Sequence, residues 1–158
     1  MTLLDAEQYD FARARRRRMG IGIALAALVV LVWIAYHLRN YPERHEVNQF
    51  FSALEGRSYE QAYAIWRHDP QWKQHEEKYS SYTYKDFYAD WGPGGQWGLV
   101  HSHSIECSLS TQGGVIVQAT VNERHAERSN LWIDTSDKTF SFPPNEIQCG
   151  NWWAWLTE

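Results

Sequence analysis

In the stretch "LVHSHSIECSLS", His101 and His103 stand two residues apart. On a strand that spacing points both imidazoles the same way, here on one face with Leu99, Ile105, Cys107 and Leu109. Two imidazoles on one face could hold a metal or orient a ligand. A transition-metal site needs further ligands, and no H-E-x-x-H, C-x-x-C or H-x-H-plus-carboxylate cluster supplies them. The pair therefore reads as hydrogen-bonded histidines at a strand end, with no metal and no cofactor expected. Asp86, Asp90, His101, His103 and Tyr63 are the right types for a general base facing an acid. Asp86 and Asp90, however, fall off the Tyr84/Phe87/Tyr88/Trp91 face, so the expectation is a protein that is not an enzyme.

Aromatic residues are the next candidates. Tyr63, Trp66, Tyr88 and Trp91 lie on stripes at helical spacing, which build a core by default and, with His101 and His103, could instead line a cone for a small apolar ligand. Cys107 and Cys149 are the only cysteines; they are either a disulfide closing a loop of about forty residues or two separate thiols. Trp152, Trp153 and Trp155 crowd the final stretch "CGNWWAWLTE". Three coverings suit them: their own domain, a partner protein or the lipid interface.

The elements that must position these residues follow from periodicity. Val47, Phe50, Phe51 and Leu54 form one helical face, with Gly56 as its stop. Ser58 and Gln61 have capping-box spacing ahead of a second helix bearing Tyr59, Ala62, Tyr63 and Trp66, which Asp69 and Pro70 close. Thr83 and Asp86 repeat that spacing before a third, ended by Gly92–Gly95. From Trp97 the period becomes two: a strand to Leu109, a Gly113–Gly114 turn, a second strand through Val121, and a hairpin from "NLWIDT" and "KTFSF". Three helices followed by about four antiparallel strands predict an α+β domain, with the helices on one face of a curved sheet.

Residues 19–38 are of another kind. The eighteen residues from Met19 to Tyr36 carry no charge and would make roughly 27 Å of helix, near the thickness of a bilayer's hydrocarbon core. Arg13, Arg15, Arg16, Arg17 and Arg18 precede the run. Because Lys and Arg stay on the cytoplasmic side, residues 1–18 become a short cytoplasmic head and the rest of the chain lies outside, in a bacterium on the periplasmic side of the inner membrane. No small-x-small cleavage site follows, so an uncleaved single-pass anchor is expected rather than a signal peptide. Residues 1–18 carry a net +2 and the remainder −6 of the overall −4. An acidic main domain excludes nucleic acid as the principal partner. The bilayer, and other membrane-complex subunits or a second copy, are the expected partners.

With "VNQFFSALEGRSYEQAYAIW" at its start, the order of elements from Glu43 to Phe142 resembles the NTF2-like superfamily, whose cone-shaped domain wraps a bent sheet around its helices. A span followed by such a domain is similar to VirB8-type secretion subunits and Mce-associated membrane proteins. The resemblance implies an extracytoplasmic NTF2-like domain over residues 43–143, followed by a Trp-rich segment at 144–158, serving as a binding or assembly scaffold. The competing expectation is the apolar-ligand or acid/base cone.

Overall fold

An apolar run without a polar stripe has nothing to break it, and Phe11–Leu38 form one 28-residue helix, α1. The computed structural model describes residues 11–124 and 127–143. Helix α1 starts eight residues ahead of Met19 and takes in the arginines, because Ala and Arg are good helix formers. The chain divides between Arg39 and Asn40 into two units.

In the second unit, helix α2 (Tyr41–Glu55) begins earlier than its apolar face suggests. Pro42 stands in its first turn, where a missing N–H costs nothing, and Glu43 favours the positive end of the helix. Val47, Phe50, Phe51 and Leu54 are all buried, as their spacing predicts. The helix stops at Gly56, as expected, but the left-handed residue is the next one. Gly56 keeps an ordinary φ of −74°, and Arg57 takes the left-handed conformation at φ 56°. The Ser58 N–H then reaches the Ala53 carbonyl at 2.8 Å and the Arg57 N–H the Leu54 carbonyl at 2.9 Å, a Schellman closure. Ser58 consequently makes no side-chain cap on helix α3 (Tyr59–Trp66), so the expected Ser58/Gln61 box is absent. Helix α3 ends in the same motif, with His68 at φ 48° and the Asp69 N–H on the Ala64 carbonyl at 2.9 Å.

Two short 3₁₀ turns, Trp72–Gln74 and Glu76–Tyr79, occupy the following polar stretch. Helix α4 (Tyr84–Trp91) carries the predicted capping box, with the Thr83 and Asp86 side chains each accepting the other's backbone N–H. Its end requires glycine. A Cβ at Gly92 would stand 2.3 Å from the Tyr88 carbonyl oxygen, and one at Gly95 only 2.0 Å from that of Asp90.

Strands β1 (His103–Thr111), β2 (Gly114–Val121), β3 (Arg128–Asp134) and β4 (Phe140–Ser141) form an open antiparallel sheet in chain order. Val115, Val117, Ala119, Val121, Leu131 and Ile133 face the helices and are buried. The architecture is therefore α+β, as expected, with α2 and α3 against one sheet face and α4 packed on α3.

Alternation along β1 does not continue as the sequence suggests. Ile105 pairs with Ala119 but Cys107 pairs with Gln118, so Glu106 is an extra residue in a β-bulge. Beyond it every side chain changes face. Cys107 and Leu109, expected inside, join the outer face, and Ser108 and Ser110 turn inward opposite Val117 and Val115. The two serine hydroxyls are satisfied by Asn40, whose Nδ2 donates to Ser108 Oγ at 3.3 Å and whose Oδ1 accepts from Ser110 Oγ at 2.9 Å. Asn40 thus ties the start of α2 to β1. Buried Glu43 ties it to the β3–β4 turn, accepting from Lys138 Nζ at 2.7 Å.

Two outcomes follow for stability. Replacing fully buried Phe50, which touches α3, α4 and β4, by alanine should cost about 3–5 kcal/mol in denaturant unfolding. Arg57→Gly should instead raise stability by roughly 0.5–1 kcal/mol, because glycine relieves a left-handed site at a small cost in unfolded-state entropy.

Candidate functional site

The first residue of β1, His103, is met by one face of α2. Its ring stacks on Phe51 with centroids 5.3 Å apart. Nδ1 lies 2.6 Å from Glu55 Oε1, and Nε2 lies 2.9 Å from Asn48 Oδ1. The side chain is only 9% exposed. Both ring nitrogens are engaged within the chain, so the imidazole clamps sheet to helix and offers no lone pair to a metal. His101 lies outside the strand and exposed, with its backbone N–H donated to Asn122 Oδ1 at 2.8 Å. Asn122 also donates to the carbonyls of Trp97 and Leu99, closing residues 97–101 as a loop rather than a strand. The two histidines are not brought into one site. Among the described residues no group of three His, Cys, Asp or Glu side chains could hold a metal ion.

The aromatic candidates divide. Tyr63, Trp66 and Trp91 are buried, whereas Tyr88 is exposed. Trp66 is ringed by Phe50, Tyr82, Phe87, Trp91, Phe140 and Phe142 at centroid distances of 5.3–5.9 Å. Tyr63 stands at the rim of a depression of about 460 Å³ with Trp72, Tyr84 and Lys85; Trp66, Trp91 and His103 do not line it.

A cluster that periodicity does not reveal lies just beyond α3. The Arg67 guanidinium sits over the rings of Tyr63, Tyr79 and Tyr82, 4.9 Å from the Tyr79 centroid. It donates to the Tyr63 hydroxyl and to the Tyr82 carbonyl, which also accepts from the Tyr63 hydroxyl at 2.7 Å. Asp69 receives His75 Nδ1, the Tyr79 hydroxyl and the Gln71 N–H, each at 2.8 Å. Asp90 accepts from the Tyr82 hydroxyl, also at 2.8 Å. The only sequence sign was "RHDP", which closes a helix; the partners come from residues 71–82, whose polar composition has no period.

These bonds define what the cluster can do. The hydrogen bond from His75, then that from Tyr79, holds the Asp69 carboxyl down at about 2. Burial, reinforced by Asp69, pushes the Tyr79 hydroxyl up to about 12. Burial and then the bond to Asp90 raise Tyr82 as well. Near neutral pH the carboxylate stays ionised and both phenols stay protonated, which is a structural fastening and a poor proton relay. Asp86, pulled below its ordinary range by the Thr83 hydroxyl and N–H, is occupied in capping α4.

Of the other candidates, Arg15, Arg16, Arg17 and Arg18 are exposed on α1, and Arg13 falls within the same helix. Cys107 stands half-buried on β1 and is not a free thiol. Cys149, Trp152, Trp153 and Trp155 lie outside the described residues. No protein-family model, curated protein or solved structure matches this chain.

The cluster has a pH signature of defined sign. Because the folded Asp69 is more acidic than the ordinary 3.8, its contribution is complete above about pH 4 and is lost as pH falls through about 2. Because folded Tyr79 is less acidic than 10.0, its contribution is present below pH 10 and lost as pH rises through about 12. Thermal melts from pH 5 to 2 should show a falling Tm, and the fall should be shallower in Asp69→Asn.

Proposed function

We propose that this is a single-pass membrane protein, without enzymatic activity, that exposes an NTF2-like domain outside the cytoplasm as a binding or assembly subunit of a membrane complex. The observation that carries the reading is α1. Arg15–Ala35 has a mean hydropathy of 2.2 over its most apolar stretch, long enough to cross a bilayer, and none of that stretch is buried. Ile23, Leu25, Val29, Leu31 and Val32 are each more than half exposed. A signal sequence has the same length and composition, and the absence of a small-x-small site after the run favours retention. The arginines at its amino end favour that end inside.

Helices packed on one face of an open antiparallel sheet, with a bulge in β1, are compatible with the NTF2-like and VirB8-type comparison. Support for binding over catalysis comes from the polar groups themselves. His103, Asp69, Asp86 and Asp90 each spend their hydrogen-bonding capacity on neighbours in the chain. The apolar-ligand cone has less support, since Trp66 and Trp91 are filled against other rings.

Membrane fractions tested by alkaline carbonate extraction and cross-linking capture provide the check. The full-length chain should stay in the pellet, and in mild detergent it should co-purify with defined membrane subunits or with itself. Release of an intact, shortened chain by carbonate would show a cleaved signal sequence, and isolation as a solitary monomer after cross-linking would remove the assembly role.

A further inference from the structure

Between Tyr59 and Trp91 stand six tyrosines, and they divide by what their hydroxyls do. Tyr63, Tyr79 and Tyr82 donate theirs within the chain, to the Tyr82 carbonyl, Asp69 and Asp90. Tyr59, Tyr84 and Tyr88 have no acceptor among the described residues. Burial, ahead of neighbouring charges, raises Tyr59 and Tyr84, so both hydroxyls stay protonated donors at neutral pH. These three share a surface. Tyr59 meets Tyr88 edge-on at 5.0 Å, Tyr88 meets Tyr84 at 6.2 Å, and Tyr84 stacks on Trp72 at 5.1 Å. The rings form a row across α3, α4 and the first 3₁₀ turn, in which Tyr88 is 44% exposed. Trp72 is buried, yet its indole N–H has no acceptor among the described residues either.

At its Trp72 end the row opens into the depression of about 460 Å³, which Glu76 and Glu77 also line. Both are exposed, and neither carboxylate has a hydrogen bond or ion pair among the described residues. Lys85 lines the depression too, so two carboxylates against one ammonium leave its wall negative. Lys73 shows how a cation is received nearby: its Nζ lies 5.6 Å from the Trp72 ring centroid and donates to Glu60 at 2.6 Å. Flat rings, unspent N–H and O–H donors, and carboxylates at one end set what a ligand must bring. It needs compact apolar faces and carbonyl acceptors, and few donors of its own to be left unpaired among the rings. Proline meets both demands, because it has no N–H and its carbonyls project regularly from a preformed polyproline II helix. The row is at most about 16 Å long, which about five residues at 3.1 Å each would span.

We propose that the row of Tyr59, Tyr88, Tyr84 and Trp72 is a docking site for a proline-rich segment of a partner protein, with a lysine or arginine at one end of that segment held by Glu76 and Glu77. The pyrrolidine rings pack on the aromatic row, and the Tyr84, Tyr88 and Trp72 donors take the proline carbonyls. The chain's own Pro143–Pro144 pair is followed by Asn145 and Glu146, the wrong charge for the acidic end, so the occupant is a different protein rather than a second copy. This rests on the reading of the second unit as a binding module and names what it binds. It does not depend on the membrane anchor.

The test is fluorescence anisotropy of labelled peptides titrated with the full-length chain in detergent at physiological salt. The probe is six prolines followed by two arginines. The comparison peptides are six prolines alone, and a glycine–serine hexamer followed by the same two arginines. The proline–arginine peptide should bind saturably and at least about tenfold more tightly than the glycine–serine one, which has to be ordered on binding. Tyr84→Phe with Tyr88→Phe keeps both rings and removes two donors. Because the chain itself does not use these hydroxyls, Tm should hold while binding of both proline peptides falls roughly three- to tenfold. Glu76→Gln with Glu77→Gln should erase the advantage of the arginine-bearing peptide over plain proline. No saturable binding, equal binding of the glycine–serine peptide, or wild-type binding by either double variant would overturn the docking site. If the chain fails these titrations and still captures membrane subunits by cross-linking, the binding reading stands and this site alone is removed.

Discussion

Phe50 is the contact on which the rest of the second unit depends. From the middle of α2 its ring meets Trp66 of α3, Phe87 and Trp91 of α4, and Phe140 of β4, all with centroids 5.0–6.1 Å away. Most of these approaches are edge-on or tilted, the arrangements in which the positive edge of one ring faces the negative face of another. Each of the three helices is short and would be marginal alone, so they owe their stability to a shared set of rings. The sheet is narrow, and β4 contributes two residues. A small sheet with aliphatic strands cannot fill the space between three helices unless large side chains come from the helices.

The second constraint is the single extra residue in β1. A strand that alternated without interruption would place Cys107 and Leu109 in the core and Ser108 and Ser110 in water. Glu106 reverses this, and its carboxylate accepts from Thr120 Oγ1 on the outer face at 2.9 Å. The inward serines would be unsatisfied polar groups were it not for Asn40, whose amide both donates and accepts. Asn40 precedes α2 and would ordinarily cap it, but its side chain makes no cap. One bulge thus explains a cysteine sulfur on the outer face, two hydroxyls on the inner face and a helix with proline in its first turn and no side-chain cap.

The same bulge marks where the sequence stops being legible. Helices α2, α3 and α4 could be read from Val47–Leu54, Tyr59–Trp66 and Tyr84–Trp91 because an apolar period of 3.6 survives in short segments. Helix α4 could even be read to its cap, since both halves of the Thr83/Asp86 box are local. The face of Cys107 could not be read, because a bulge is set by pairing with β2 and leaves no mark in composition. The Schellman closures at Arg57 and His68 were hidden for a related reason: both put a side-chain-bearing residue where glycine is usual. His101 and His103 looked equivalent by spacing, and Asn122, twenty-one residues from His101, is what separates them. The Arg67–Asp69–Tyr79 cluster is assembled from three turns, and no period describes it.

On the proposed reading, the division of labour between the two units follows from what each leaves unsatisfied. In the second unit the polar tips that might do chemistry are turned on one another: Tyr63 to the Tyr82 carbonyl, Tyr79 to Asp69, Tyr82 to Asp90, His103 to Glu55 and Asn48. On that reading the unit is proposed to recognise others through its surface, since among the described residues these polar tips are already engaged with one another. Helix α1 leaves the opposite deficit. Its large apolar side chains lie mostly more than half exposed, and at about 1.5–3 kcal/mol for each side chain removed from water their combined demand is on the order of 20 kcal/mol. That exceeds the whole folding stability of an ordinary domain, about 5–15 kcal/mol. On that reading a lipid bilayer meets it, and the arginines that begin α1 favour a bilayer over a bundle of such helices. Four consecutive guanidinium groups at one end are tolerated in a bundle only by spreading apart, whereas at a membrane surface each finds anionic headgroups and water.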